Sequence, residues 1–134
     1  MKDQYILQWA FLWGLGLAGV CQTMDVAALP VADNSLGTTV VPVNPNVVQI
    51  EAGKTIGDSV FHSFESFSIP EGQTVRFKPD SPRSIQTIYS RVTGSMPSNL
   101  LGRLQTRGNA DLVFLNPNGI SFGDNFQLRI KGSF

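Results

Sequence analysis

Cysteine is nearly absent: Cys21 is the only one in 134 residues, so no disulfide can form within the chain. Histidine is as scarce, with His62 alone. That removes the Cys–His pairs and His clusters from which nucleophilic and metal sites are commonly built, and no metal or cofactor is expected. Charge is thin and balanced, at 15% of residues with ten of each sign. Apart from Lys2, the basic residues are dispersed from Lys54 to Lys131, which gives no electrostatic footprint for nucleic acid. Beyond residue 28 there is no helix start or stop box, and no apolar run long enough to span a membrane.

Residues 1–28 differ in kind from the rest. Lys2 and the amino terminus form a weakly positive head, and Tyr5 to Val20 is apolar apart from Gln8. That run carries no charge and falls short of the roughly 20 residues of a membrane-spanning helix. It reads as a secretory signal peptide addressed to the Sec translocon, with cleavage after Val26-Ala27-Ala28. Val20 beside Cys21 argues against a lipidation box, which prefers a small residue there. The mature part, 29–134, then holds nine basic and eight acidic groups, a net of +1, and no cysteine. It must be held by backbone ladders and apolar burial.

That part reads as nearly all β. Two β-branched runs, Thr38 to Val43 and Val47 to Ile50, are split by Asn44-Pro45-Asn46, and Glu51-Ala52-Gly53-Lys54 reads as a turn. Val60 to Ile69 carries Phe61, Phe64 and Phe67 at a spacing of three, which would suit a helix. Its serines and the closing Pro70 favour extended structure instead. Thr74 to Phe77 and Ile85 to Thr93 are further strand candidates, separated by a Pro-rich loop and followed by a break from Gly94 to Asn99.

The clearest regularity comes last. Leu104, Leu112, Ile120 and Leu128 are spaced by eight, and turn residues lie between them. At the centre of this stretch the strand Leu112 to Leu115 runs into Asn116-Pro117-Asn118-Gly119 and out through Ile120 to Phe122. Pro117 presets φ for a type I turn, Asn116 can bond the backbone ahead of it, and Gly119 tolerates the reversal that follows. Spacing alone leaves a sandwich, a barrel and a solenoid open.

Four blocks carry a resemblance: Phe61 to Pro70, Ser90-Arg91-Val92-Thr93-Gly94, Pro97 to Gly102, and Asp111 to Gly123. Together they resemble the amino-terminal secretion domain of filamentous haemagglutinin-like proteins, the exported partners of two-partner secretion systems. The resemblance implies a right-handed parallel β-helix, the N-terminal part of a longer solenoid and incomplete at its C-terminus. It also implies passage through the periplasm to the surface of a Gram-negative-type bacterium, and recognition by the POTRA domains of a dedicated outer-membrane barrel. Asn116, Pro117, Asn118, Gly119 and Ile120 match its secretion motif, with Phe64, Phe67, Arg91, Ser98 and Asn99 as supporting recognition residues. A second Asn-Pro-Asn-Leu motif of many relatives is missing, since that interval reads Lys78-Pro79-Asp80-Ser81-Pro82-Arg83. Asn44-Pro45-Asn46-Val47 is too early to replace it.

The function expected is a secretion-recognition module of an exported adhesin or haemagglutinin-like protein, without enzyme activity. The alternatives are a carbohydrate-active β-helix enzyme fragment, which would act on acidic polysaccharides, and a non-functional remnant of a larger adhesin. Against an enzyme, no two acids lie two residues apart on a strand, as clustering on one sheet face would require. His62 is expected as a hydrogen-bonded residue at a strand end. The residues alone leave two roles open for the Asn-Pro-Asn-Gly turn, a contact for the transporter or a device that makes the fold possible.

Overall fold

Residues 29–81 and 84–134, the part described by the computed structural model, form twelve strands and no helix. The leader read over residues 1–28, and Pro82 and Arg83, lie outside the described residues. The strands are β1 (Val31–Ala32), β2 (Thr38–Asn44), β3 (Val47–Ala52), β4 (Lys54–Ile56), β5 (Ser59–Ser66) and β6 (Thr74–Phe77). They continue as β7 (Thr87–Val92), β8 (Ser98–Leu100), β9 (Arg103–Thr106), β10 (Asp111–Leu115), β11 (Ile120–Phe122) and β12 (Gln127–Arg129).

Most of these strands pair in parallel with strands far away in sequence, and that identifies the architecture. The first wall is β5-β7-β10, the second is β8-β11 with an isolated parallel bridge from Ile69 to Leu100, and the third is β3-β6-β9-β12. The chain visits the walls in the same order each time, so β7, β8 and β9 make one coil and β10, β11 and β12 the next. This is a β-solenoid of about three turns. A sandwich or barrel of antiparallel hairpins would join neighbours in sequence instead.

The eight-residue spacing acquires its meaning here. Leu104 and Leu128 are register partners one coil apart, whereas Leu112 lies on the first wall and Ile120 on the second. Three walls of eight residues make one coil of 24 between Leu104 and Leu128.

Alternation along each strand aims one set of side chains inward. Val60, Ile88 and Leu112 align on the first wall, Ile69 and Leu100 on the second, and Val48, Val75 and Leu104 on the third. All of them are buried. Phe67 ties the walls together: its ring lies 4.9 Å from Phe64, 6.0 Å from Phe77 and 4.8 Å from Phe114. Phe61, on the outer side of β5, stacks on its register partner Tyr89 at 4.8 Å. The spacing of three in the Phe run therefore reflects a strand that bends at its end and not a helix.

Antiparallel pieces finish the amino-terminal end. β2 folds back on β3 through Pro45-Asn46, while β1 and β4 both pair with β5 and cover an edge that would otherwise template association. The Glu51–Lys54 turn narrows to Ala52 and Gly53, both at positive φ. At the other end, Phe122 and Leu128 take inward register positions yet remain 53% and 38% exposed, because β11 and β12 have no further strand against them among the described residues.

His62 sits inside β5 and not at a strand end, which corrects its expected position. It is buried against Phe77 at 5.4 Å and shares a 3.2 Å hydrogen bond with Thr38 Oγ1 from β2. Burial disfavours the imidazolium and pushes the pKa down to about 4.

Two predictions follow from this core. Leu104→Ala empties a site that is fully enclosed and is expected to cost about 2–5 kcal/mol in urea denaturation of the purified chain. His62 stays neutral in the folded chain down to about pH 4, whereas the unfolded chain takes up a proton below about 6.5. Its contribution is therefore fully present above pH 6.5 and lost on acidification towards pH 4, on the order of 2–3 kcal/mol. Urea midpoints between pH 7 and 4.5 should fall in the wild type and flatten over this range in His62→Phe.

Candidate functional site

The Asn-Pro-Asn-Gly turn forms the corner between β10 and β11, and every position is used. Gly119 N–H donates to Asn116 O at 3.1 Å, closing the turn, and Asn118 N–H donates to Asn116 Oδ1 at 2.9 Å. Gly119 takes φ +111°, a conformation that L side chains rarely adopt.

The same local chemistry occurs at Asn44-Pro45-Asn46, where Asn46 N–H donates to Asn44 Oδ1 at 2.9 Å. What distinguishes the later turn is what lies opposite. Asn116 Nδ2 donates to Met96 O at 3.1 Å and to Ser98 Oγ at 2.8 Å. Asn118 Nδ2 donates to Gly94 O at 2.7 Å. Ser98 N–H returns a bond to Gly119 O at 3.0 Å. Both amides are thus committed to the corner loop of the coil before, whose carbonyls lack ladder partners of their own. Gly94 is required in that loop, because a Cβ there would run into Glu65 O of the first coil.

The fold brings most of the motif residues to this one corner. Ile120 pairs with Ser98, and Ser121, the next residue, donates from Oγ to Asn99 Oδ1 at 2.7 Å. Arg91 is the register partner of Leu115, one residue before the turn. Pro117, Asn118 and Ile120 face solvent, Asn99 is exposed, and Ser98 is fully buried. Phe64 and Phe67 are not at this surface. They lie in the core with no exposed area to offer, so in the folded chain they act through packing.

Sequence reasoning missed a second polar cluster that begins beside Arg91. Arg91 Nε donates to Ser63 Oγ at 2.9 Å, and Ser63 Oγ donates to Asp33 Oδ2 at 2.6 Å. Asp33 also accepts from Thr93 Oγ1 at 2.7 Å, from Ser35 N–H at 2.9 Å and from Ser35 Oγ at 2.7 Å. Burial alone would raise the Asp33 pKa, but the bonds from Ser63, Ser35 and Thr93 outweigh it and hold the carboxyl well below the usual range. The cluster fastens the leading segment over β5 and β7 and leaves Ser63, an outward residue by alternation, wholly enclosed. The Asx turn at Asp33 and Ser35 is its one local signal. Its other members lie 30 to 60 positions away.

A groove of about 220 Å³ opens on the opposite side of the coils, lined by Glu71, Leu101, Arg103, Asn125 and Gln127 among others. Its carboxylate is engaged, since Asn125 Nδ2 donates to Glu71 Oε2 at 2.6 Å. Among the described residues no three His, Cys, Asp or Glu side chains are gathered as metal ligands.

A family model described as a TPS secretion domain matches residues 28–134, the whole of the described chain. No curated protein matches the sequence. The solenoid, the corner turn stacked on the coil before and a family match over most of the chain agree: this chain belongs to the TPS secretion domain family, whose members are recognition modules for a two-partner-secretion transporter.

Proposed function

We propose that this domain leads an adhesin or haemagglutinin-like exoprotein through the Sec translocon and then through an outer-membrane barrel, and that it binds the barrel's POTRA domains from the periplasm. An extended segment offers free backbone groups for strand addition to a partner sheet, which suits recognition before folding. Coil formation on the outer side then biases movement outward, since each coil completes the edge of the last.

Within this route the Asn-Pro-Asn-Gly turn acts by securing one coil on another. The observation that carries this is the commitment of both amides to Gly94, Met96 and Ser98. Pro117, which faces solvent, presets the turn and makes no such bond.

Asn116→Ala and Asn118→Ala are expected to abolish secretion with the paired transporter, read as protein in the medium. Unchanged export of both would refute a role for the turn. In the purified chain Asn116→Ala is expected to lower stability by about 1–3 kcal/mol, the cost of stranding the buried Ser98 hydroxyl, and Asn118→Ala, whose bond to Gly94 O is exposed, by about 0.5–1.5 kcal/mol. Pro117→Ala should cost less than about 1 kcal/mol, because the side-chain bonds remain. Export lost without loss of stability would point to a direct contact instead.

A further inference from the structure

The cations that are scattered along the sequence are gathered by the fold onto one wall. On the outer side of the third wall, Gln49, Arg76, Gln105 and Arg129 form one row across the coils by their pairing. Thr74, Arg103 and Gln127 form a second. A third begins where the ladder continues past β6 and β9: Lys78 N–H donates to Ile50 O and Arg107 N–H to Phe77 O, each at 2.9 Å, which sets Arg107 beside Lys78. Lys131 lies in the bend two residues beyond Arg129, where β12 has ended, and is exposed. Five of the nine Lys and Arg residues of 29–134, Arg76, Lys78, Arg103, Arg107 and Arg129, therefore belong to this wall, and Lys131 lies just past its last strand. From β3 the wall receives one carboxylate, Glu51, which accepts from Gln49 Nε2 at 2.7 Å.

The bonds that orient these cations leave their charge in place. Arg76 Nη1 donates to Gln49 Oε1 at 3.0 Å, and Gln105, with its amide oxygen turned inward to the row, accepts from Arg76 Nε at 2.7 Å. Arg103 donates from Nε and Nη2 to Gln127 Oε1 at 3.1 and 2.9 Å. Each acceptor is a neutral amide, so the guanidiniums are positioned without being neutralised. Lys78, Arg107, Arg129 and Lys131 are exposed.

Spacing and composition define the ligand. Neighbouring coils lie about 4.8 Å apart and alternate residues of a strand about 6.6 Å apart, so the wall is a grid of positive charge and not a point site. Such a grid suits a linear polymer with an anion on every unit. The outward positions of β6, β9 and β12 are Thr74, Arg76, Arg103, Gln105, Gln127 and Arg129, none of them aromatic or aliphatic; apolar side chains enter at the amino-terminal margin, with Val47 of β3 beside Thr74 and Val41 of β2 beside Gln49. Arginine forks pair with carboxylates in two parallel bonds.

We propose that the outer side of the third wall binds a linear acidic polysaccharide of the polyuronate class, laid across the coils over Lys78, Arg107, Arg129 and Lys131. This goes beyond the export reading and does not depend on it. The assigned role is binding.

The purified chain applied to immobilised alginate is expected to bind, to release as salt rises from about 0.05 to about 0.5 M, and to ignore uncharged dextran. The triple variant Lys78→Gln, Arg107→Gln, Lys131→Gln is expected to lose about tenfold or more in affinity, while Lys54→Gln on β4 keeps wild-type binding. The charge-preserving triple Lys78→Arg, Arg107→Lys, Lys131→Arg should stay within about threefold of wild type, which keeps the test valid if the Gln variant fails to fold. Absence of binding by the wild type, equal binding by a folded Gln triple, or an equal loss in Lys54→Gln would overturn the proposal. So would a Gln triple that loses binding to the transporter's periplasmic domains while keeping alginate, since that result assigns the wall to a protein partner.

Discussion

The structure depends on one repeated interaction, the in-register parallel pairing of each coil with the next. A parallel ladder leaves side chains of equivalent positions one above another, so a row such as Val75, Leu104 and Leu128 is decided at every level by the same backbone bonds. With no cysteine beyond Cys21, nothing covalent supplements this register. Wherever the ladder lacks a partner, the chain supplies another device. At the amino-terminal end, antiparallel strands β1, β2 and β4 cover the first coil, and the Asp33 cluster fastens the leading segment across β5 and β7.

Corners are the other place where ladders fail, because a chain that changes direction cannot keep its carbonyls in a sheet. The Asn116–Gly119 corner answers this with side chains. Two amides reach back to the carbonyls of the loop at Gly94 and Met96, and the backbone of Ser98 reaches forward to Gly119. The turn proposed to serve export thus performs stacking in the folded domain. Recognition by a transporter and completion of a coil are linked if both require the same segment, first extended and then closed.

The outer surface follows the same geometry for a different purpose. Side chains of alternate parity must point out, and the coil repeat lines them up whether or not they are apolar. On the first wall the outward row contains Phe61 stacked on Tyr89 and Ser63 beneath Asp33. On the third it contains arginines held by glutamines. One ladder therefore produces an aromatic stack, a buried polar cluster and a cationic grid on neighbouring sides of a small domain.

Local chemistry was legible in the sequence. Strand runs, turn residues and the eight-residue spacing follow from β-branching, from Pro and Gly, and from alternation, and each is a property of a few consecutive residues. The Asn-Pro-Asn turns could be read in the same way, and the two look alike. Only the tertiary structure separated them, by placing the Gly94 loop against the Asn118 side chain, whereas Asn46 meets the next coil through its backbone carbonyl, which accepts from Thr74 N–H. It also decided that Leu104 faces Leu128 while Leu112 and Ile120 belong to other walls, that Ser63 is buried and that five dispersed cations share one surface. These depend on which residue of the next coil lies alongside, some 22 to 31 positions away. Spacing set the interval between the later strands, but only the closed ladder sets how many of them make a coil and in what register.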